Sequence, residues 1–149
     1  MLKVNVEGLE KVFDDLTTFT SKMQRRGLSQ SMRQGMNVVR DAARQKAKPL
    51  DDPDTTDVIW KNIQTQTGSR RKARRAGADA LMQVGVRGGA RFNADSPYPT
   101  HWRFVEFGTS YVRAQPFMRP AMAENVQQAT DKTAAHLRKV VDRIARTGK

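Results

Sequence analysis

The sequence predicts an α+β fold in which a small, mostly antiparallel sheet is packed by two N-terminal helices and one long C-terminal helix. Two observations lead to this class. Three long segments repeat their apolar residues at helical spacing, and three short segments alternate or are rich in residues that favour strands. With 149 residues the chain fits one domain, so we expect residues 1–149 to form a single unit.

The first third of the chain contains one predicted strand and two predicted helices. Residues 2–6 alternate apolar and polar side chains, which is typical of a strand with one buried face. Apolar residues then recur every three or four positions over residues 9–20, which predicts an amphipathic helix. A second helix is predicted over residues 29–47, with Ser29 or Ser31 as its N-cap.

A short helix at residues 58–63 is predicted to follow the polar turn at residues 51–56. Asp54 or Thr55 is its candidate N-cap, since either side chain can accept a hydrogen bond from the first helical turn. The acidic residues of the turn also raise Mg²⁺ binding as an alternative. Pro53 and Thr55 among them fit turn formation better.

Two strands, residues 65–67 and 81–86, are predicted to form a hairpin. Their connection at residues 68–79 holds five cations within six positions: Arg70, Arg71, Lys72, Arg74 and Arg75. Such a run cannot pack into a core, so we expect a projecting, mobile loop. Residues 87–100 are predicted to form a second projecting loop.

The last predicted element is the longest helix, over residues 119–145, where apolar residues keep helical spacing. Pro120 fits its first turn, because the N–H that proline lacks has no partner at that position. Residues 146–149 follow as a tail that we expect to fray.

The formal net charge of +12 is concentrated in the second half of the chain. Residues 1–66 hold 11 Lys/Arg against 9 Asp/Glu, a net +2, whereas residues 67–149 hold 16 against 6, a net +10. An acidic partner is therefore expected to contact the second half. For the basic run at residues 70–75, contact with DNA phosphates, contact with an acidic neighbouring subunit and a solvated loop all remain open. The run contains no aromatic residue, so base-specific reading is not expected.

The residue patterns of an enzyme, a metal site or a cofactor site are missing from the sequence. There are no cysteines, which excludes disulfides and thiolate ligands, and His101 and His136 are not in a metal-binding pattern. The glycines at residues 85–89 lack the spacing of a nucleotide-binding loop. No stretch approaches a signal-peptide core or a membrane span. We expect a non-enzymatic protein without a cofactor, metal or membrane partner.

Glu106 is the most informative single acid, because aromatic and aliphatic residues surround it in the sequence. One interpretation is a perturbed carboxylate that acts as a general acid or base. The other is a buried carboxylate that accepts backbone N–H hydrogen bonds or pairs with an arginine, for which Arg103, Arg113 and Arg119 are the candidates. We favour the second interpretation, since no catalytic partner lies nearby in the sequence.

Residues 101–123 read HWRFVEFGTSYVRAQPFMRPAMA and combine an aromatic segment, a basic loop and a proline-rich helix start. Gly108 permits a positive φ or a close backbone approach directly after the aromatic segment. Pro116 and Pro120 stiffen the entry into the helix. Phe117 is expected to fill the junction between sheet and helix.

This arrangement resembles the small neck or tail-completion proteins of long-tailed bacteriophages, which help to join the DNA-filled head to the tail. The matching positions are Phe104, Glu106, Phe107, Gly108, Thr109, Pro116, Phe117, Pro120 and Ala121. The resemblance implies an early pair of helices, a central β region and a terminal helix. It gives the matching residues an architectural role.

The resemblance further implies a structural virion protein that forms a sixfold ring in the phage neck. Its partners would be further copies of itself and the neighbouring head-closure, portal-side, tail-terminator and tail-tube proteins, with phage DNA as an additional contact. It would be assembled in the host cytoplasm and reside in the neck or tail of the virion. The alternative function is that of a nonspecific nucleic-acid-binding protein that uses the basic run at residues 70–75.

Overall fold

The computed structural model describes residues 21–51, 58–78, 80–87 and 98–147. Its elements are helix α1 (Ser21–Ala47), a 3-10 turn (Lys48–Leu50), helix α2 (Ile59–Asn62), strand β1 (Ile63–Thr67), helix α3 (Arg70–Arg75), strand β2 (Met82–Val86), helix α4 (Trp102–Phe107) and helix α5 (Met118–Thr147). The α+β class is confirmed. The predicted strand at residues 2–6 and helix at residues 9–20 lie outside the described residues.

Helices α1 and α5 pack against each other in antiparallel orientation. Every fourth residue of α1 is buried, and most of these residues are small: Gly27, Ser31, Gly35, Val39, Ala43 and Ala47. A Cβ atom built on Gly27 would lie 2.9 Å from Val140 Cγ1, near the far end of α5. At the other end of the pair, Lys46 Nζ lies 2.8 Å from Glu124 Oε2. Small side chains along this seam therefore let the two helix backbones approach closely.

Ser29 and Ser31 lie inside α1, so the predicted N-cap is wrong. Ser31 Oγ donates a hydrogen bond to the carbonyl oxygen of Gly27 (2.8 Å) and lies 3.1 Å from His136 Nδ1. Because the hydroxyl has one proton, the second hydrogen bond is donated by Nδ1 of His136. In a sequence, a serine that lies in a close helix contact cannot be told from a serine that caps a helix. The N-cap prediction was wrong for this reason.

The β1–β2 hairpin forms as predicted, with Ile63 opposite Val86 in an antiparallel pair. Polar side chains of α1 fix this hairpin in place. Arg44 donates two hydrogen bonds to the carbonyl oxygen of Ile63 (3.0 and 2.7 Å), and Thr65 Oγ1 donates to Asn37 Oδ1 (3.1 Å). These contacts determine which face of β1 meets α1.

The short helix α2 receives its cap from Asp51. The two carboxylate oxygens of Asp51 accept hydrogen bonds from the backbone N–H groups of Ile59 (2.8 Å) and Trp60 (2.9 Å). The predicted caps, Asp54 and Thr55, lie outside the described residues. An acid several residues upstream thus supplies the contact that sequence rules place immediately before a helix.

The basic run is a helix, α3, and the prediction of a loop was wrong for residues 70–75. Ser69 Oγ accepts a hydrogen bond from the backbone N–H of Lys72 (3.3 Å), and Gly77 after the helix has a φ of 65°. Arg, Lys and Ala are good helix formers, and the buried Ala73 anchors the turn while the cations project outward. The cations stay out of the core as expected, but a helix exposes them as well as a loop would.

Helix α5 begins close to the predicted position and ends later than expected. Arg146 and Thr147, predicted as part of a frayed tail, belong to the helix. Ile144, only 7% exposed, holds the last turns against the molecule. The helix continues to Thr147, past Ile144, the last apolar residue of the predicted helix.

The core lies where α1, the hairpin and the start of α5 meet. Its fully or nearly fully buried members are Ala43, Ala47, Ile59, Ile63, Val86, Phe117 and Ala121. Phe117 has no exposed surface and lies at the junction between sheet and helix. The segment that carries the sequence motif is therefore attached to the core at this residue.

Candidate assembly site

Glu106 is a buried carboxylate that connects α4 to the start of α5. Its Oε2 accepts hydrogen bonds from the backbone N–H groups of Phe117 (2.8 Å) and Met118 (3.0 Å). Its Oε1 accepts from the backbone N–H of Arg119 (3.1 Å) and from Arg119 Nε (3.2 Å). The N–H groups at a helix start have no partner within the helix, and the positive end of the helix dipole favours an anion. Glu106 therefore caps α5 across the intervening loop.

The structural interpretation of Glu106 accounts for all of its contacts. Both anticipated kinds of contact are present, backbone N–H groups and an arginine, and the arginine is Arg119. Arg119 also donates through Nη2 to the carbonyl oxygen of Glu106 (3.0 Å). Since donors of the chain itself occupy both carboxylate oxygens, this side chain is arranged for structural support and not for proton transfer to a substrate.

Gly108 is at a position that only glycine fits. Its φ is 76° and its ψ is 178°, a combination that side-chain-bearing residues rarely adopt. A Cβ atom there would lie 2.7 Å from the backbone nitrogen of Ala114. The N–H of Gly108 also closes α4 by donating to the carbonyl oxygen of Phe104 (2.9 Å). Both expectations for Gly108, a positive φ and a close backbone approach, are met.

Thr109 organises the turn that follows. Its Oγ1 accepts hydrogen bonds from the backbone N–H groups of Tyr111 (3.2 Å) and Val112 (3.0 Å), and its own N–H donates to the carbonyl oxygen of Val112 (2.9 Å). Further along, the N–H of Gln115 donates to the carbonyl oxygen of Val105 (2.8 Å). The turn is therefore bonded internally and attached at both ends, which gives it a defined shape.

Exposed apolar side chains are concentrated on α4 and on the turn that follows it. In the described part of the chain, the large apolar side chains that are exposed are those of Phe104 (52%), Phe107 (62%), Tyr111 (96%) and Val112 (57%). We call these four residues the apolar patch. All four lie within nine consecutive residues, whereas scattered single exposures would need no explanation. Such a concentration is typical of a surface that another protein covers.

The motif residues thus divide into two groups. Glu106, Gly108, Phe117 and Ala121 build the interior of the joint between α4 and α5, and Pro120 lies in the first turn of α5. Phe104, Phe107, Thr109 and Pro116 are exposed. The sequence pattern brought both groups together as one architectural motif, and it did not indicate which residues face outward. Tyr111 and Val112 were missed, although two large apolar residues in a Gly-Thr-Ser turn are a usable signal.

Comparison with protein families identifies the chain. A family model described as "Bacteriophage HK97-gp10, putative tail-component" matches residues 10–108, well over half of the chain. The chain belongs to the HK97-gp10-like family of phage tail components. No curated protein and no solved structure is significantly similar to it.

Membership in this tail-component family assigns a structural, tail-related role in a phage virion. The matched span contains the four motif positions of α4 and its C-cap, Phe104, Glu106, Phe107 and Gly108. It ends before Thr109, Pro116, Phe117, Pro120 and Ala121. The Glu106 contacts described above nevertheless join the two parts of the motif physically, because the carboxylate from the matched part caps the helix that begins outside it.

Within residues 21–51, 58–78, 80–87 and 98–147 there is no group of three or more His, Asp or Glu side chains that could hold a metal ion. His136 lies between α1 and α5 and contacts Ser31. No helix in the described part of the chain is long and apolar enough to cross a membrane.

Helix α3 presents its arginines on one side. At 100° per residue, Arg70 and Arg74 share a row and Arg71 and Arg75 share the adjacent row. Beyond the two edges of these rows lie the exposed Lys72 and the buried Ala73. We call the four arginines the arginine face. Like charges at i and i+4 destabilise a helix by about 0.2–0.5 kcal/mol per pair. An anionic partner would remove this repulsion.

Proposed function

We propose that the chain is a structural protein of the neck of a tailed phage, where six copies form a ring that joins the DNA-filled head to the tail. The ring would lie between the head-closure or portal side and the tail, as a tail-completion component. The observation that carries this proposal is the apolar patch on α4 and the internally bonded turn after it, a surface suited to burial by another protein. Membership in a tail-component family provides its setting.

A ring requires contacts between unlike surfaces of neighbouring copies, related by a rotation that closes. In this proposal α3 reaches neighbouring subunits or adjacent rings. The predicted loop at residues 87–100, of which residues 88–97 lie outside the described residues, would do the same. The net charge of +10 in the second half of the chain makes acidic surfaces the natural counterparts of these segments. Assembly would take place in the host cytoplasm before the particle is complete.

Deleting the gene from its phage or prophage tests the proposal. We expect the lysate to contain filled heads beside separate tails, because the component that joins them is missing. Electron microscopy of the lysate is the measurement, and supplying the wild-type chain in trans should restore joined particles. Normal, infectious particles after the deletion would contradict the proposal.

A second candidate function, nonspecific nucleic-acid binding, is favoured by one observation, the arginine face of α3. Four arginines in two adjacent rows can contact about four phosphates, which predicts a slope of about −3.6 for log K against log salt on duplex DNA. Replacing Arg70, Arg71, Arg74 and Arg75 by glutamine should remove most of this slope. Fluorescence anisotropy with labelled duplex DNA at several salt concentrations measures it.

The matched control for this prediction removes four cations from another exposed surface. Lys132, Arg138, Lys139 and Arg146 are exposed on α5, and their replacement by glutamine lowers the net charge by the same amount. If both variants lose affinity equally, binding depends on net charge alone and α3 is not a specific contact. DNA binding with the predicted slope in the wild type, lost selectively in the α3 variant, would support the DNA contact.

A further inference from the structure

We propose that the turn at residues 108–113 docks into an apolar pocket, rimmed by carboxylates, on a different protein of the virion. This inference rests on the proposed function and names the chemistry of one partner. The turn carries Tyr111 and Val112 of the apolar patch at its tip, and Phe107 lies directly before it. We call residues 108–113 the docking turn.

The docking turn offers the kind of side chain that dominates protein interfaces. Tyr111 is 96% exposed and can bury a large ring while its hydroxyl forms a hydrogen bond. Beside it, a groove of about 180 Å³ lies between α4 and the turn, lined in part by Leu50, Val105 and Val112. A partner can therefore both receive Tyr111 and insert a side chain of its own.

The turn is shaped before it meets a partner. The Thr109 hydrogen bonds, the positive φ of Gly108 and the bond from Gln115 to Val105 hold it without outside help. Glu106 fixes its far end by capping α5 at Phe117 and Met118. A preformed turn loses little conformational entropy on binding, so more of the contact energy remains as affinity.

Charge around the docking turn indicates an acidic partner. Arg113, the last residue of the docking turn, and Arg103 on α4 are exposed. The Arg119 guanidinium, which pairs with Glu106, lies 5.2 Å from the centre of the Phe107 ring. Between Asp95 and Glu124 the sequence has one acidic residue, Glu106, and its two oxygens are already occupied. The segment from residue 96 to residue 123 therefore presents exposed apolar side chains together with exposed arginines.

The same charge argues against a second copy as the occupant. Each copy has a net charge of +12, of which +10 belongs to the half that contains the docking turn. Two such surfaces repel each other, whereas an acidic rim on another virion protein attracts the arginines and orients the encounter. The ring contacts between copies would then use other surfaces.

The test is reconstitution of infectious phage in a lysate of the deletion mutant, by adding purified full-length protein at increasing concentration. The variant Tyr111→Ser/Val112→Ser removes the tip of the turn. Both side chains are exposed, so we expect an unchanged circular dichroism spectrum and melting temperature. Loss of an interface hot spot should raise the concentration for half-maximal titre by about thirtyfold or more. The control Gln128→Ser/Ala135→Ser, on the exposed side of α5, should behave as wild type.

A second variant tests the charge of the partner. Arg103→Glu/Arg113→Glu should also require at least about tenfold more protein for half-maximal titre, because it places like charges opposite the acidic rim. The mass of the purified protein, measured by light scattering, should be the same for both variants and wild type. A changed mass would identify a second copy as the occupant, and an unaffected titre with the glutamate variant would show that the partner is not acidic.

The outcomes separate this inference from the proposed function. If the deletion blocks joining and Tyr111→Ser/Val112→Ser restores titre at the wild-type concentration, the docking turn is not a binding surface and the neck function stands. If the deletion leaves normal particles, the neck function fails and the docking inference fails with it.

Discussion

Glu106→Gln is expected to destabilise the protein by about 3 kcal/mol, although it changes only one atom of the side chain. The carboxylate accepts hydrogen bonds from the backbone N–H groups of Phe117, Met118 and Arg119. In the glutamine variant an NH₂ group, which donates and does not accept, replaces one carboxylate oxygen and faces backbone N–H donors. The substitution also removes the negative charge from the positive end of the α5 dipole. Urea unfolding followed by circular dichroism measures the loss, which corresponds to a melting temperature lower by about 6–12 °C.

The matched control is Glu124→Gln. Glu124 also pairs with a cation, since its Oε2 lies 2.8 Å from Lys46 Nζ, but its side chain is 58% exposed. An exposed ion pair contributes at most about 1 kcal/mol, so this variant should be close to wild type. Equal losses for the two variants would mean that the Glu106 contacts add nothing beyond an ordinary surface pair.

In the proposed function, stability and the contact surface depend on the same carboxylate. Glu106 lies between two residues of the apolar patch, Phe104 and Phe107, that face outward, while its own side chain points inward to the start of α5. The buried carboxylate of Glu106 holds one side of α4 against the start of α5. The aromatic rings of Phe104 and Phe107 are therefore exposed on the other side of this helix. A protein that must present a defined contact surface from a short helix needs such an anchor, since six residues alone do not form a stable helix.

Much of the fold could be predicted because its signals are periodic. Apolar spacing located α5 and most of α1, and strand-favouring residues located both strands of the hairpin. The contacts of Glu106 were also predictable, because a carboxylate among apolar residues must find donors and only a few were near in the sequence. Which residues are buried and which carry charge can be predicted directly from a sequence pattern.

The remaining features depend on tertiary contacts that have no local signal. The hydroxyl of Ser31 contacts Gly27 and His136, and the carboxylate of Asp51 caps a helix that starts several residues later. In α3 the burial of Ala73 is a tertiary contact that adds to the local helix preference of arginine, lysine and alanine. Thr109 Oγ1 accepts hydrogen bonds from the backbone N–H groups of Tyr111 and Val112, and the shape of this turn depends on these contacts.

Gly35→Ala is expected to destabilise the protein by about 2–3 kcal/mol, against the usual preference of helices for alanine. In an exposed helix interior this substitution would stabilise by about 1 kcal/mol. Here a Cβ atom would overlap Thr133 Oγ1 and the carbonyl oxygen of Ala129 on α5. The carbonyl belongs to the backbone and cannot rotate away, so the two helices must separate or bend. Thermal and urea unfolding measure the change.

Gly85→Ala is the matched control, because a Cβ atom on this strand residue would meet nothing within 4 Å. Its stability should equal or slightly exceed that of the wild type, since alanine restricts the unfolded chain more than glycine does. The double variant Gly35→Ala/Thr133→Ala should recover only part of the loss, because it removes the hydroxyl contact and leaves the Ala129 carbonyl in place. A Gly35→Ala protein more stable than wild type would mean that α1 and α5 do not approach this closely. The antiparallel pair that supports the whole fold would then need a different packing.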